Sequence, residues 1–228
     1  MATSDPAPTI AVVGAGPGIG ASVARRFAHA GYAVGLVARD GNRLDRMAAE
    51  ISGETGVRCA TATADATVPD QVRRALAAIA ADLGDPSVLC FSPIPDVSLI
   101  RPVLDTRAEE LIASLQLNVA GAAAAVESVL PAMRAANKGS LLFTTGSAAL
   151  QPSAERAASA VTTTAASVYI ALVRQALDGT EVRVGHTVVV GPVDAAREGA
   201  HRPDDVAEDL WRHHEGHAEQ FPTVLRLP

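Results

Sequence analysis

Between residues 9 and 31 an apolar run, a cluster of glycines and an amphipathic stretch follow one another with almost nothing in between. Thr9 to Val13 is apolar and bounded by Pro8, which reads as a buried strand. Ile19 to Ala30 spaces its apolar residues as a helix does and stops at Gly31. The link between them is Val13-Gly14-Ala15-Gly16-Pro17-Gly18-Ile19-Gly20. Glycines at such a link let the chain turn sharply and lay its backbone against a pyrophosphate, while the first amides of the helix point at it. Glycines also make plain turns, but here the strand before and the helix after are both readable, as phosphate binding requires. Gly14, Pro17, Gly18, Ile19 and Gly20 are therefore candidate cofactor contacts.

The pattern repeats down the chain. Strands are expected at Ala33 to Ala38, Val57 to Ala62, Val88 to Phe91, Leu141 to Thr145 and Val182 to Val190, with a short terminal one at Thr223 to Leu227. Helices are expected at Asn42 to Ile51, Val68 to Leu83, Asp105 or Thr106 to Ala136, Glu155 to Leu177 and Asp204 to His214. The proline-rich stretch from Ser92 to Pro102 is expected to be a loop. Alternating strands and helices imply an α/β fold, a doubly wound parallel sheet of Rossmann type with helices on both faces. The 228 residues make one domain, with residues 1–8 flexible and 203–228 forming a C-terminal helix and tail. A net charge of -6 argues against a nucleic-acid or anionic-membrane surface, and no uninterrupted apolar run is long enough to span a membrane. The first ten residues lack the basic-then-apolar order of a signal peptide, and two cysteines suggest neither disulfides nor zinc, so a cytoplasmic setting is expected.

The second strand ends Val37-Ala38-Arg39-Asp40. An acidic residue at that strand end usually holds the 2′-hydroxyl of an NAD ribose. Alanine followed by Arg39 suits a 2′-phosphate instead, which favours NADP(H) over NAD(H). Asp40 could still accept a ribose hydroxyl, and a solvated Arg39 is the competing reading.

The spacing Gly14-x-x-x-Gly18-x-Gly20 resembles the cofactor motif of the short-chain dehydrogenase/reductase superfamily, with Val13 in place of its threonine. The resemblance runs through most of the chain. Ala64-Asp65-Ala66-Thr67 is similar to the family's segment after the third strand, which implies that Asp65 and Ala66 lie by the adenine. Asn118 in Leu117-Asn118-Val119 resembles the fourth-helix asparagine, and Gly139 to Ser147 resembles the strand leading to the active-site serine. Gly191-Pro192-Val193 resembles the loop that holds the nicotinamide. The family's Asn-Ala-Gly appears as Ser92-Pro93-Ile94, which puts a side chain where the backbone normally runs close to the cofactor. The resemblance implies an NADP(H)-linked oxidoreductase with a small-molecule substrate, assembled as a homodimer or homotetramer through its alanine-rich fourth and fifth helices.

The family's Tyr-x-x-x-Lys pair has no counterpart. Aligning Ser147 and Thr164-Ala165-Ala166 with the family places the pair on Ala160 and Thr164, and a shift of one gives Ser159 and Thr163. Lys138 is the one lysine in the chain, and Tyr32 and Tyr169 are the two tyrosines. Tyr169 is nine residues past Ala160, about 900° around the helix and on its opposite face. Tyr32 precedes the second strand, away from the cofactor, and Lys138 lies about 20 Å from the far end of the fifth. Hydroxyls at Ser147, Ser159, Thr163 and Thr164 can bind an oxygen but are poor acids at neutral pH. Ser147 and Asn118 are the catalytic candidates, with a turn serine and a structural asparagine as competing readings. An alternative function is non-redox chemistry, such as a cyclisation or elimination, or service as a cofactor-binding partner subunit. His213 and His217 sit at helical spacing but lack a third zinc ligand, so a solvated helix end is expected there and no metal. Glu155 and Arg156 read as a surface ion pair, Asp194 as a weak acid-base candidate, and Trp211 as the anchor of the last helix.

Overall fold

The structure, a computed structural model, describes residues 7–227. The N-terminal segment expected to be flexible lies largely outside the described residues, and Pro8 within them already accepts a hydrogen bond from the Ala33 amide at 2.9 Å. The strands are β1 (Thr9–Val13), β2 (Ala33–Ala38), β3 (Cys59–Thr63), β4 (Pro86–Phe91), β5 (Gly139–Gly146), β6 (Val182–Val190) and β7 (Thr223–Arg226). They form one sheet in the order β3-β2-β1-β4-β5-β6-β7, with every neighbouring pair parallel. Helices α1 (Ile19–His29), α2 (Gly41–Thr55) and α7 (Pro203–Glu215) contribute to the core on one face. Helices α3 (Pro69–Leu83), α5 (Ala122–Ala136) and α6 (Ala157–Ala176) contribute to the core on the other.

A sheet covered on both sides demands strands apolar at every position, and all five residues of β1 are buried. Alternate residues of one strand feed the two cores: Ile10 and Val12 meet Phe27, Leu44 and Leu210, while Ala11 and Val13 meet Leu76, Ile79 and Met133. The chain works outward from β1 to β3, then crosses back to lay β4 on the free side of β1. Where the order reverses, the two adjoining connections leave in opposite directions and open a crevice at the carboxyl ends of β1 and β4.

Several boundaries differ from the sequence expectation, each for a local reason. Helix α2 begins at Gly41 because the Asp40 carboxylate accepts the Arg43 amide at 3.0 Å, and it runs on to Gly56 in the left-handed conformation. The long helix expected from Asp105 or Thr106 starts instead as α4 (Ala108–Leu115). The Thr106 hydroxyl turns back to the Pro102 carbonyl at 2.8 Å, and Glu110 accepts the Arg107 amide at 2.9 Å. A π-helical turn, Gln116–Gly121, then joins α4 to α5. Two helical segments, Ala108–Ala136 and Ala154–Ala176, are long and apolar enough for a membrane span by length and composition alone, and residues of both belong to the core.

The helix end expected to be solvated is packed. His213 is buried, and the His214 ring lies 2.8 Å from both the Tyr32 and Ser140 hydroxyls. His213 Nε2 is 2.9 Å from the Thr223 hydroxyl, and buried Asp209 accepts from Thr187 at 2.8 Å and Arg212 at 2.6 Å. Trp211 packs edge-on against Phe27 and under Arg26, anchoring α7 to α1.

Candidate functional site

The crevice is a cleft with two lobes of about 480 and 400 Å³. Gly14, Gly16, Ile94, Asp96, Leu99 and Asn118 line both. All ten residues singled out from the sequence as cofactor contacts line one lobe or the other.

The first lobe begins at the glycine turn. Gly14 has φ +93°, and a Cβ there would lie 2.5 Å from the Pro93 nitrogen. At Gly20 a Cβ would lie 2.5 Å from the Gly14 carbonyl oxygen. These two glycines lock the turn against the β4 loop. Gly18 differs: a Cβ would meet nothing within 4 Å, and as N-cap of α1 it leaves the helix without a side-chain cap. The positive end of α1, with no acidic residue in its first turn, therefore faces open space suited to an anion.

Pro17, Arg39, Asp65 and Ala66 line the rest of this lobe. Asp40 is committed to α2: one oxygen accepts the Arg43 amide and the other lies 3.4 Å from the Arg43 guanidinium. Arg43, missed in the sequence, lines the same lobe one helical turn beyond Arg39. Nothing in the sequence marks it, because Arg39 precedes α2 and Arg43 lies within it, and the fold brings both to one lobe. Partial burial pushes the Asp65 carboxyl up, but the amide and hydroxyl of Thr67 and the nearby Arg39 outweigh it and hold the pKa below the ordinary value.

In the second lobe Gly18, Ile19, Gly20, Ser92 and Gly191 form the wall on the glycine-turn side. The Ser92 hydroxyl is tied to that of Thr144 at 2.6 Å. Asn118 sits in the π-helical turn and donates to the Ser114 carbonyl and the Thr162 hydroxyl, both at 3.1 Å. Single-turn π segments often occur at functional sites because they redirect one side chain without ending the helix. Helix α6 turns Ser159, Thr162 and Thr163 to the lobe, while Ala160 is buried and Thr164 points to solvent. Of the two registers weighed from the sequence, Ser159 and Thr163 are the residues on the cleft.

Ser147 begins a short 3-10 turn, half-buried, and does not line the cleft. The end of β5 contributes Thr144, Thr145 and Gly146 instead. Thr145 was also missed. Its hydroxyl lies 2.9 Å from Nε2 of buried His186, whose pKa is pushed down to about 4 by burial and by His213. Asp194 is exposed and accepts the Ala196 amide at 2.9 Å. Arg156 makes no ion pair with Glu155 and lines the second lobe. Among the described residues no group of three or more His, Cys, Asp or Glu is placed to hold a metal.

The comparisons agree with this architecture. A family model for short chain dehydrogenases matches residues 8–205. The 1-deoxy-11-beta-hydroxypentalenate dehydrogenase of Streptomyces arenae is 48% identical over 80 residues, 35% of this chain and 28% of that protein. A short chain dehydrogenase of Pseudocercospora fijiensis is 28% identical over 207 residues, 90% of this chain and 65% of that protein. The matches thus span less than two thirds of these relatives' length. Among solved structures, a short-chain dehydrogenase from Rhodopseudomonas palustris superposes with TM-score 0.84 at 25% identity, covering 97% of this chain and 99% of that one. The NADPH-bound short chain oxidoreductase of Pseudomonas aeruginosa PAO1 containing an atypical catalytic center has TM-score 0.83 at 20% identity, with 97% of each chain covered. With the parallel sheet, the glycine turn and the family match over most of its length, the chain belongs to the short-chain dehydrogenase family.

Proposed function

We propose that the chain is an NADP(H)-dependent oxidoreductase that interconverts a small carbonyl compound and its alcohol without the tyrosine–lysine relay of its family. The observation that carries this is the continuity of the cleft, from an arginine pair at one end to a row of hydroxyls at the other. The residues fit such a cofactor. Gly18 leaves space at the uncapped end of α1, and Arg39 and Arg43 offer two guanidinium groups where Asp40 is already committed. Bound there, the dinucleotide would supply or accept the hydride. The chain's own part is to orient the substrate oxygen with Ser159, Thr163 and Thr145 and to keep Asn118 fixed through Thr162. These hydroxyls are too weak as acids to replace a lowered-pKa tyrosine, so the proton comes from water. Losing a positioned acid costs about 10²- to 10⁴-fold in rate, and an activated carbonyl offsets part of that.

The test is a titration with NADPH and with NADH, followed by turnover on a panel of activated carbonyls read from nicotinamide absorbance. Tighter binding of NADPH with measurable turnover is expected; binding of neither nucleotide defeats the proposal.

A second reading, non-redox chemistry or a cofactor-binding partner role, is favoured by one observation: the cleft face of α6 carries serine and threonines and no stronger proton donor. It prevails if the native protein binds NADPH but is inert, and only the Ser159→Tyr/Thr163→Lys double variant turns over carbonyls. Self-association as a homodimer or homotetramer is part of the first reading. Ile112 of α4 and Val161, Val168 and Leu172 of α6 are exposed, an apolar face that a second copy would cover. Light scattering tests this, with Val168→Glu expected to shift the protein towards monomer.

A further inference from the structure

The second lobe carries a charge that hydride transfer does not use. Arg156 is the N-cap residue of α6 and lines the lobe together with Ser159 of that helix. Among the described residues nothing engages its guanidinium by ion pair or hydrogen bond. The neighbouring cation is restrained: Arg101 gives its carbonyl to the Ala157 amide at 3.0 Å and its guanidinium lies 3.5 Å from buried Glu110. Asp96 is the only other charged residue on this lobe, and it is already used. It accepts from the Ser98 amide and hydroxyl at 2.9 and 2.7 Å, and Arg39 lowers its pKa further.

Val97, Leu99, Ile100, Ala158 and Val193 give the same lobe an apolar part of its wall, and Arg156 itself is exposed to solvent. An apolar molecule seated there excludes water from around the guanidinium, which then gains from an anionic partner and loses without one. A single planar fork matches a carboxylate, whereas a phosphate dianion calls for a second cation, and Arg101 is held by Glu110. The spacing adds direction. Arg156 stands at the start of α6, and Ser159 and Thr163 follow about 6 Å apart along its axis, so one end of a ligand can meet the cation while the other meets the hydroxyls.

We infer that the substrate is an apolar carbonyl compound or alcohol carrying a carboxylate, and that Arg156 is the residue that selects it. The inference rests on the hydride-transfer reading for which end reacts, but not for which end is held. Substrate enters with its apolar body against Val97 and Ile100 and its carboxylate on Arg156, which leaves its oxygen to the α6 hydroxyls.

The test is calorimetric titration of NADPH-loaded protein, and of protein alone, with medium-chain oxo acids such as oxodecanoate and with their methyl esters. The acids are expected to bind about ten-fold or more tightly than the esters. Arg156→Gln is expected to erase that preference and Arg156→Lys to restore part of it. Where turnover is seen, the Gln variant is expected to raise KM for the acid far more than it lowers kcat. Equal binding of acid and ester, or a preference that survives Arg156→Gln, overturns the inference. Acid preference without any nicotinamide oxidation upholds the anchor and defeats the redox reading, so the two failures are separable.

Discussion

Two glycines of one turn have opposite jobs, and substitution separates them. Gly14 holds φ +93° with the Pro93 backbone against it, so Gly14→Ala is expected to lower the melting temperature and abolish NADPH binding together. Gly18 faces open space, so Gly18→Ala is expected to cost less thermal stability than Gly14→Ala while still weakening NADPH binding. Parallel thermal melts and nucleotide titrations distinguish the two. At the other end of the same lobe, Arg39→Ala is expected to weaken NADPH binding about ten-fold or more and NADH binding little. Equal loss for both would return Arg39 to the solvent. The glycine turn and Arg39 were legible in the sequence because backbone chemistry dictates them. Arg43 and Thr145 were not, because their relevance comes from the end of one helix and one strand being brought to a common cleft. Ser147 was picked by the resemblance of its strand to the family's, and it follows directly on Gly146, the last residue of β5.

At the scale of elements, the existence of every strand and main helix was readable from apolar periodicity, whereas the face each helix shows the cleft was not. Helix α6 begins with a run of small residues and is only weakly amphipathic, so Ala160 with Thr164 and Ser159 with Thr163 look alike until the sheet is in place. Helix α7 misled for the opposite reason: three histidines near a helix end look polar, yet His213 is buried and His214 half-buried, each with hydroxyl partners. Burial lowers the pKa of His186, His213 and His214, so the folded state refuses protons that the unfolded chain accepts. Their contribution to stability is full above about pH 6.5 and is lost as the pH falls toward about 4, where His186 itself titrates. Melts across that window are expected to show steep destabilisation, and His186→Gln to flatten it. An unchanged slope in that variant would place the acid sensitivity elsewhere.

The whole molecule is organised by one topological event, the return of the chain from β3 to the free side of β1. A parallel, doubly wound sheet was legible from alternation; the place where its order reverses became visible only in the pairing of β1 with both β2 and β4. A ligand lying across that reversal touches both halves of the chain and stabilises them as one unit. Saturating NADPH, at about 100 times its dissociation constant, is expected to add about 2.7 kcal/mol to unfolding, a rise of roughly 5–10 °C in melting temperature for a chain of this size. NADH at the same concentration is expected to add less.

The stretch from Pro93 to Leu99 is a wall to both lobes, with Ile94 reaching toward Gly16 between them. A shared partition makes the lobes a corridor rather than two rooms. A dinucleotide spanning both would have to be in place before a smaller substrate closed the passage. On the proposed reading, turnover in such a corridor would be a matter of queueing, with the dinucleotide first in and last out; product inhibition tests it, with oxidised nucleotide expected to compete with NADPH and a random-order pattern overturning it.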